Sequence, residues 1–347
     1  MPSIPAPGTR IAAMGHYLPS TVLTSEAVAE RLTVDAEWIL TRTGISERRV
    51  AAPDETVADM AVAAAQDALA NLARDRGGLD CASDIDTVIV ATASAESTMP
   101  AVAARVAGRL GLAAPAAFDV NSACAGFCHA LAVADSLIRS GTSRGALVIG
   151  ADKASSWLDW SDRDTAVLFA DGAGAAVVLP HHRRAIGPVV WGSVGEHADR
   201  IVIDPDTRVL RQDGRAVYRW ATSLGPIAAR ICADAGIRPA DLAGFVPHQA
   251  NLRIIRALAN HLDLPGVPVA TDVATTGNTM AATVPIALSR MINRGDIDTG
   301  GNVLLFGFGA GLTYAGQIVH LDPVPAVNPA TQALIAWTTS AIPQPVS

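Results

Sequence analysis

The sequence predicts an α/β fold in which a sheet is covered by helices on both faces. Short runs of apolar, β-branched residues alternate with Ala-rich segments of helical periodicity. Strands that are apolar on both sides and separated by helices are typical of a sheet buried between helical layers. The predicted strands are 85–93, 116–120, 146–151, 165–179, 244–248 and 302–309, and the predicted helices are 56–74, 101–111, 125–139, 216–236 and 281–294.

The order of these elements also repeats along the chain. In the first half, DVNSAC (119–124) stands between two apolar strands at a strand-to-helix junction, and DVATTGN (272–278) holds the corresponding place in the second half. A strand–turn–helix–strand unit therefore occurs twice, with Cys124 at one turn and Asn278 at the other. Chance self-similarity of α/β sequences is the alternative interpretation.

We predict an N-terminal half over 1–180 and a C-terminal half over 181–322. The segment HHRRAIGP, near Pro180–Pro188, breaks the apolar pattern between them. A Pro-rich tail follows over 323–347, in which LIAW (334–337) is a candidate for docking onto the fold. A length of 347 residues suits two domains or one duplicated fold.

Composition excludes several classes of function. The net charge of −7 offers no basic footprint for nucleic acid and no polybasic stretch for an anionic membrane. No segment approaches the ~20 apolar residues of a spanning helix, and the first residues do not resemble a signal peptide. We therefore expect a soluble, cytoplasmic protein.

The four cysteines are too sparse for a disulfide framework and lack the spacing of a metal site. Cys124 differs from the others because it lies among small residues where a helix begins. We expect unpaired N–H groups and the helix dipole at that position to favour the thiolate. Cys128 and His129, one turn later, are predicted to be structural residues of an apolar helix.

Three further features surround this candidate nucleophile. His248 follows an apolar strand, where ligands gather in α/β sheets, and is a candidate acid or base. Asn278 follows Gly277 at a turn, and the glycine string FGFGAG (306–311) brings backbone N–H groups close together. Each alone has an ordinary structural interpretation. Together, a cysteine, two neutral hydrogen-bond donors and a glycine turn are the parts needed to transfer an acyl group and stabilise an enolate.

At these residues the sequence strongly resembles the β-ketoacyl-ACP synthase III family of thiolase-like condensing enzymes. The resemblance runs from about residue 10 to 322, and its motifs are EWILTRTGISERR (37–49), DVNSACAGF (119–127), DRDTAVLFADGAGAAVV (162–178), PHQANLRII (247–255), GNTMAATVP (277–285) and GFGAGLTY (307–314). It implies a thiolase fold, a five-layer αβαβα arrangement of two duplicated βαβ-type halves, and a homodimer.

The resemblance also implies a reaction without a cofactor. An acyl group from acyl-CoA would be loaded onto Cys124 and joined to malonyl-acyl carrier protein by decarboxylative Claisen condensation. His248 and Asn278 would stabilise the enolate, because its oxygen needs two donors in place before the charge develops. The backbone N–H groups of Cys124 and Ala310 would form the oxyanion hole.

The resemblance also implies residues of this chain that bind the substrates. Trp38 and Arg42 match positions that contact the coenzyme A nucleotide. Arg219 and Arg253 match basic positions that face the acidic carrier protein, with Arg256 nearby.

Several positions depart from the family pattern. Ser156 replaces an arginine opposite the tryptophan, and Asn260 and His261 replace frequent lysines. Met99 replaces a phenylalanine in a loop thought to reach the partner's acyl pocket. Gln212, also at the acyl pocket, stands where an apolar residue is common in the family. A flexible Met suits a longer or adaptable pocket. These departures favour a specialised polyketide starter-unit enzyme at least as readily as a fatty-acid initiator.

Three other functions fit the sequence less well. A relative that passes the acyl group to an alcohol or amine without condensing is disfavoured by the retained Asn278. An NAD-dependent dehydrogenase is disfavoured because FGFGAG lies late in the chain and lacks the dinucleotide spacing. A non-catalytic partner subunit would have lost Cys124.

Overall fold

A computed structural model describes residues 6–79 and 81–323 of the chain. The predicted tail, apart from Pro323, lies outside the described residues. The strands are β1 Gly8–Tyr17, β2 Thr21–Thr24, β3 Glu47–Val50, β4 Thr87–Ala91, β5 Ala116–Val120, β6 Ala146–Lys153, β7 Asp171–His181, β8 Val190–Ser193, β9 Ile201–Ile203, β10 Leu210–Gln212, β11 Gly244–Pro247, β12 Asn302–Gly309 and β13 Thr313–His320. The α-helices are α1 Ser25–Leu32, α2 Ala36–Thr43, α3 Val57–Asp75, α4 Val102–Arg109, α5 Gly126–Arg139, α6 Gly214–Thr222, α7 Gly225–Asp234, α8 Leu252–Leu262, α9 Val273–Thr276 and α10 Thr283–Arg294.

Two sheets of related topology form the body of the protein. The first has the order β1-β7-β6-β4-β5 and the second the order β11-β12-β13-β8. In both sheets, parallel strands at one side are followed by antiparallel strands at the other. In the second sheet, Val269 forms a parallel bridge to Phe245 of β11, and it occupies the position that β5 has in the first sheet. The predicted duplication is confirmed. The first sheet ends at His181 and the second begins at Val190. The boundary between the halves at 180/181 stays a prediction.

Helices α5 and α10 lie between the two sheets. Their buried residues, among them Phe127, Leu131 and Leu288, share one apolar cluster with strands of both sheets. A second cluster joins α3 and α4 to the outer face of the first sheet, and a third joins α7 and α8 to the second sheet. The predicted five-layer order of helix, sheet, helix, sheet and helix is confirmed.

Most predicted elements are present, and two differ for local reasons. The predicted helix over 216–236 is two helices, because the new helix α7 begins at Gly225 with Pro226, which lacks the N–H that a continuous helix needs. The predicted strand over 165–179 begins only at Asp171. The residues before it form a turn in which Leu168 N–H donates to Thr165 O at 3.0 Å.

No helix among the described residues is long and apolar enough to cross a membrane. The fold brings the ends of β5, β11 and β12 to one region between the sheets, and each of these strands leads into a residue singled out in the sequence. This convergence places the candidate site.

Candidate active site

Cys124 occupies a short 3₁₀ turn, Ala123–Ala125, between β5 and α5. The turn is sharp: Ala123 has a φ of +44°, and its N–H is held by Asn121 Oδ1 at 3.2 Å. A non-glycine residue in this region of φ is uncommon and is found where a fold holds a side chain in a special position. The strand, turn and helix therefore present the thiol as the sequence predicts.

The glycine string packs directly against this turn. A Cβ atom added at Gly309 would lie 3.0 Å from Cys124 Sγ, and one at Gly307 would lie 2.9 Å from Ala125 Cα. Both glycines belong to β12, a strand of the second sheet, so they let the two halves approach at the nucleophile. The run is not a dinucleotide-binding loop.

The expectation that the helix start favours the Cys124 thiolate is wrong. Burial is the main cause of a raised pKa for the Cys124 thiol, and the nearby Asp152 carboxylate raises it further. The side chain is only 6% exposed, so desolvation of the charged form outweighs the favourable helix dipole. Burial therefore favours the thiol form of Cys124.

His248 follows β11 and is held in a buried, largely apolar site. Its backbone N–H donates to Phe306 O at 2.7 Å, and the Phe308 ring meets the imidazole edge-on at a centroid distance of 5.2 Å. Nδ1 lies 2.7 Å from Thr283 Oγ1. Burial lowers the pKa of His248 to about 3, so the ring is neutral at physiological pH.

Asn278 is fixed at both its backbone and its side chain. Its N–H donates to Leu168 O, and its carbonyl accepts from Ala170 N–H, both at 2.9 Å. The side-chain oxygen accepts from Met280 N–H at 3.0 Å. This orients the amide group, because the NH₂ is then the end without a partner among the described residues.

A buried carboxylate braces the turn that follows Asn278. Asp152, at the end of β6, accepts hydrogen bonds from the N–H groups of Ala281 and Ala93 and from the hydroxyl groups of Ser94 and Thr92, at 2.7 to 3.1 Å. Its pKa is raised to about 6, chiefly by burial. Sequence analysis missed this residue because nothing near it in the chain marks it as part of the site.

Cys124, His248 and Asn278 line one cavity of about 950 Å³, together with Ala310. The structure thus brings together residues from both halves that stand up to 154 positions apart (278 − 124). A thiol that shares a cavity with a neutral imidazole and an oriented carboxamide suits acyl transfer followed by stabilisation of an oxyanion.

Aromatic and basic residues form another part of the cavity wall. Trp38 lies there with two guanidinium groups near its ring, that of Arg42 at 5.6 Å and that of Arg163 at 5.9 Å. Arg163 was not singled out in the sequence, although it lies in the quoted motif DRDT. Ser156, at the position where the family has an arginine, is exposed and does not line the cavity.

The predicted docking arginines occupy two settings. Arg219 and Arg253 line the cavity, and the Arg253 guanidinium lies 5.1 Å from the centre of the Tyr218 ring. Arg256 lies on the exposed side of α8 and does not line the cavity. Arg215, also a lining residue, was missed because an arginine on a short polar helix carries no distinct sequence signal.

The two predicted acyl-pocket residues also differ. Gln212 lines the cavity, where its Nε2 donates to Asp164 O at 2.8 Å. Met99 is 82% exposed and is not part of the cavity wall of its own chain. Beside Cys124, an apolar cluster includes Phe169, Leu210 and Met280.

Cys128 and His129 have no part in the cavity wall. Burial raises the pKa of the Cys128 thiol to about 12. His129 stacks on Trp191 at 5.5 Å, and its Nδ1 lies 3.1 Å from Ala125 O. Across residues 6–79 and 81–323, no group of three or more His, Cys, Asp or Glu side chains could hold a metal ion.

A buried cysteine that shares one cavity with an imidazole and a carboxamide, in duplicated α/β halves, is typical of an acyl-transferring enzyme of the thiolase fold. Comparison with known proteins gives the family. The model of the 3-oxoacyl-ACP synthase III family matches residues 118–195, and that of its C-terminal region matches residues 232–321.

Curated relatives support the same family. The chain is 53% identical to β-ketoacyl-ACP synthase III 2 of Streptomyces avermitilis, over 90% of this chain and 99% of the relative. It is 50% identical to β-ketoacyl-ACP synthase III 4 of Streptomyces coelicolor, over 90% and 98%.

Solved structures agree. The priming β-ketosynthase of a polyketide biosynthetic pathway superposes with a TM-score of 0.88 at 40% identity, covering 93% of this chain and 99% of that one. The 3-oxoacyl-ACP synthase III of Pseudomonas aeruginosa gives 0.85 at 36% identity, covering 92% and 100%. The chain belongs to the β-ketoacyl-ACP synthase III family and is an acyl-transferring condensing enzyme that initiates fatty-acid or polyketide synthesis.

Proposed function

We propose that the chain loads an acyl group from acyl-CoA onto Cys124 and condenses it with malonyl-acyl carrier protein. The observation that carries this proposal is the shared cavity of Cys124, His248 and Asn278. The carboxamide NH₂ of Asn278 has no hydrogen-bond partner among the described residues. The substrates supply the thioester and the carboxylate that react, so the proposal includes no cofactor.

In the first half-reaction, Cys124 Sγ attacks the acyl-CoA carbonyl. The N–H groups of Cys124 and Ala310 stabilise the tetrahedral oxyanion. The thioester bond to coenzyme A then breaks, and the thiol proton of Cys124 ends on the departing coenzyme A thiolate. Because the pKa of the Cys124 thiol is raised, this proton must leave as the carbon–sulfur bond forms.

In the second half-reaction, malonyl-acyl carrier protein loses carbon dioxide. The electron pair of the broken carbon–carbon bond forms an enolate, whose oxygen accepts hydrogen bonds from His248 and Asn278. The enolate carbon attacks the acyl group on Cys124, and the released thiolate takes up one proton. A low-pKa, neutral imidazole suits the role of a donor at this step.

The cavity wall supports assignments for the carriers. Trp38, Arg42 and Arg163 would bind the nucleotide of acyl-CoA, since guanidinium groups pair with phosphates and indole rings stack on bases. Arg219 and Arg253, with Arg256 farther out, would face an acidic carrier protein. The apolar cluster beside Cys124, with Gln212, would receive the primer. The predicted cytoplasmic location stays a prediction.

Release of carbon dioxide from malonyl-acyl carrier protein tests the condensing step. We expect the wild type to release it and Asn278→Ala to lose at least about 100-fold in rate, as expected for removal of one donor to a developing oxyanion. Asn293→Ala, which is exposed near the end of α10 and does not line the cavity, is the matched control. Acyl transfer to an alcohol or amine without carbon dioxide release would instead support the non-condensing alternative.

A homodimer is also proposed. The edge strand β5 of the first sheet is only partly buried, and it pairs on one side with β4. An exposed edge with apolar residues such as Phe118 is suited to pairing with the same strand of a second copy. Met99 is then available to reach the partner. Light scattering should give twice the chain mass for the wild type and Leu79→Glu, and a smaller mass for Phe118→Glu. A wild-type monomer would contradict this proposal.

A further inference from the structure

Thr283, the first residue of α10, has a hydroxyl that lies between two possible acceptors. His248 Nδ1 is 2.7 Å from Oγ1, and Met280 O is 3.0 Å away. A threonine hydroxyl carries one proton, so only one of the two contacts can receive it. Both Thr283 and His248 are 2% exposed, which makes an unsatisfied polar atom here costly.

The two acceptors differ in their other partners. Met280 O already accepts the backbone N–H of Thr283. No other described residue forms a hydrogen bond with His248 Nδ1, which is also the closer of the two atoms. A hydrogen bond from the Thr283 hydroxyl to His248 Nδ1 is therefore more favourable than one to Met280 O.

We propose that Thr283 is a positioning residue that donates its hydroxyl proton to His248 Nδ1 and so fixes the Nε2–H tautomer of the imidazole. A neutral imidazole carries one proton, and a ring whose Nδ1 accepts must carry that proton on Nε2. Nε2 has no partner among the described residues, and His248 lines the cavity.

This inference rests on the proposed function and makes it more specific. With the proton on Nε2, His248 is a donor to the enolate oxygen and not a base that takes the Cys124 proton. The same short turn then sets both donors, because Met280 N–H orients the Asn278 amide and Thr283 Oγ1 orients the imidazole. Loss of the Thr283 hydroxyl should harm decarboxylation more than acyl loading.

Nitrogen-15 NMR of histidine-labelled protein tests the tautomer directly, with the His248 signals assigned from their loss in His248→Gln. We expect an unprotonated Nδ1 and a protonated Nε2 in the wild type and in Thr283→Ser. In Thr283→Val, which keeps the shape and removes the hydroxyl, we expect a shift toward the other tautomer. A wild-type His248 protonated on Nδ1 would overturn the proposal. This outcome is read from the wild-type protein, and His248→Gln serves only to assign the signals.

Half-reaction rates give the second readout. We expect Thr283→Val to slow carbon dioxide release from malonyl-acyl carrier protein by about 10- to 100-fold and acyl loading of Cys124 by less than about threefold, with Thr283→Ser restoring both. Equal losses in both steps, or no rescue by serine, would contradict the assigned role. A wild type that releases no carbon dioxide would refute the proposed function, while the NMR result would still decide the role of Thr283.

Discussion

Gly309 lies against Cys124 so closely that a Cβ atom at position 309 would stand 2.8 Å from Cys124 Cβ and 3.0 Å from Sγ. Real Cβ atoms essentially never come within the first of these distances of another heavy atom, so either the strand or the turn would have to move. The second sheet thus packs directly against Cys124 of the first half, at a position where only glycine fits without displacement.

Replacing this glycine should impair the nucleophile. We expect Gly309→Ala to slow acyl loading of Cys124 by about 100-fold, because the new methyl group displaces the thiol, and small displacements at a reacting atom have effects of this size. Intact-mass kinetics with acyl-CoA measure it. Gly108→Ala, on the exposed side of α4 with no atom near the added Cβ, should load at the wild-type rate. Equal loading by the two variants would show that the contact is unimportant.

Arg163, and not the residue at position 156, should contribute to nucleotide binding. We expect Arg163→Ala to raise the KM for acyl-CoA by about 3- to 10-fold, since one cation–π or phosphate contact at a partly exposed site is lost. Acyl-pantetheine, which lacks the nucleotide, should show no change. Ser156→Ala is the control and should leave both substrates unaffected. An effect of Ser156→Ala as large as that of Arg163→Ala would assign the nucleotide to the other side of the ring.

Asp152 should make the folded state less stable as the pH rises. Its pKa is raised to about 6, above the usual value for Asp, so the folded state holds this proton more tightly than the unfolded chain. The associated stability is present below pH ~4 and is lost as the pH rises through about 6, amounting to about 3 kcal/mol. Urea unfolding between pH 4 and 8 measures the difference in free energy of unfolding between the wild type and Asp152→Asn. The other carboxylates are the same in both proteins, so their contributions cancel in this difference. The wild type should lose stability relative to the variant over this range. A constant difference would show that Asp152 does not titrate there.

His248 should remain neutral throughout the physiological range. Burial lowers its pKa to about 3, so its ring signals should not titrate between pH 5 and 8 in an NMR experiment. The effect of pH on the free energy of unfolding is opposite to that of Asp152. The contribution of the neutral ring is present above the unfolded value near 6.5 and is lost as the pH falls toward 3. His248→Gln should therefore be less sensitive to acid than the wild type. Titration of His248 near pH 6.5 would refute the burial argument.

The sequence was sufficient to predict the central residues because each of them follows a predicted strand or turn. Cys124 and His248 are polar residues directly after apolar runs, and duplicated α/β topology brings such strand ends together. Asn278 follows a glycine at the corresponding turn of the second half, and the resemblance to a known family then added Ala310. The layered fold followed from the alternation of apolar strands with amphipathic helices.

What the sequence could not predict depends on burial and on contacts between distant residues. The direction of the Cys124 pKa was wrong because a local helix dipole can be read from the chain, whereas desolvation by the second sheet cannot. Arg163 was missed because its relation to Trp38 is a tertiary contact between residues 125 positions apart (163 − 38). Asp152 and Thr283 were missed for the same reason. Asp152 binds the N–H groups of Ala93 and Ala281, 59 and 129 positions away, and Thr283 contacts His248, 35 positions away.

The central claim is that one cavity holds the acylated thiol and the two enolate donors. A single-turnover experiment tests it most directly: the chain is loaded from a panel of acyl-CoAs, intact mass is recorded, and malonyl-acyl carrier protein is then added. We predict one acyl adduct on the wild type, none on Cys124→Ala, and conversion of that adduct to β-ketoacyl-acyl carrier protein with one carbon dioxide per chain. Loading of Cys124→Ala, or an adduct on the wild type that survives the extender unchanged, would contradict the account.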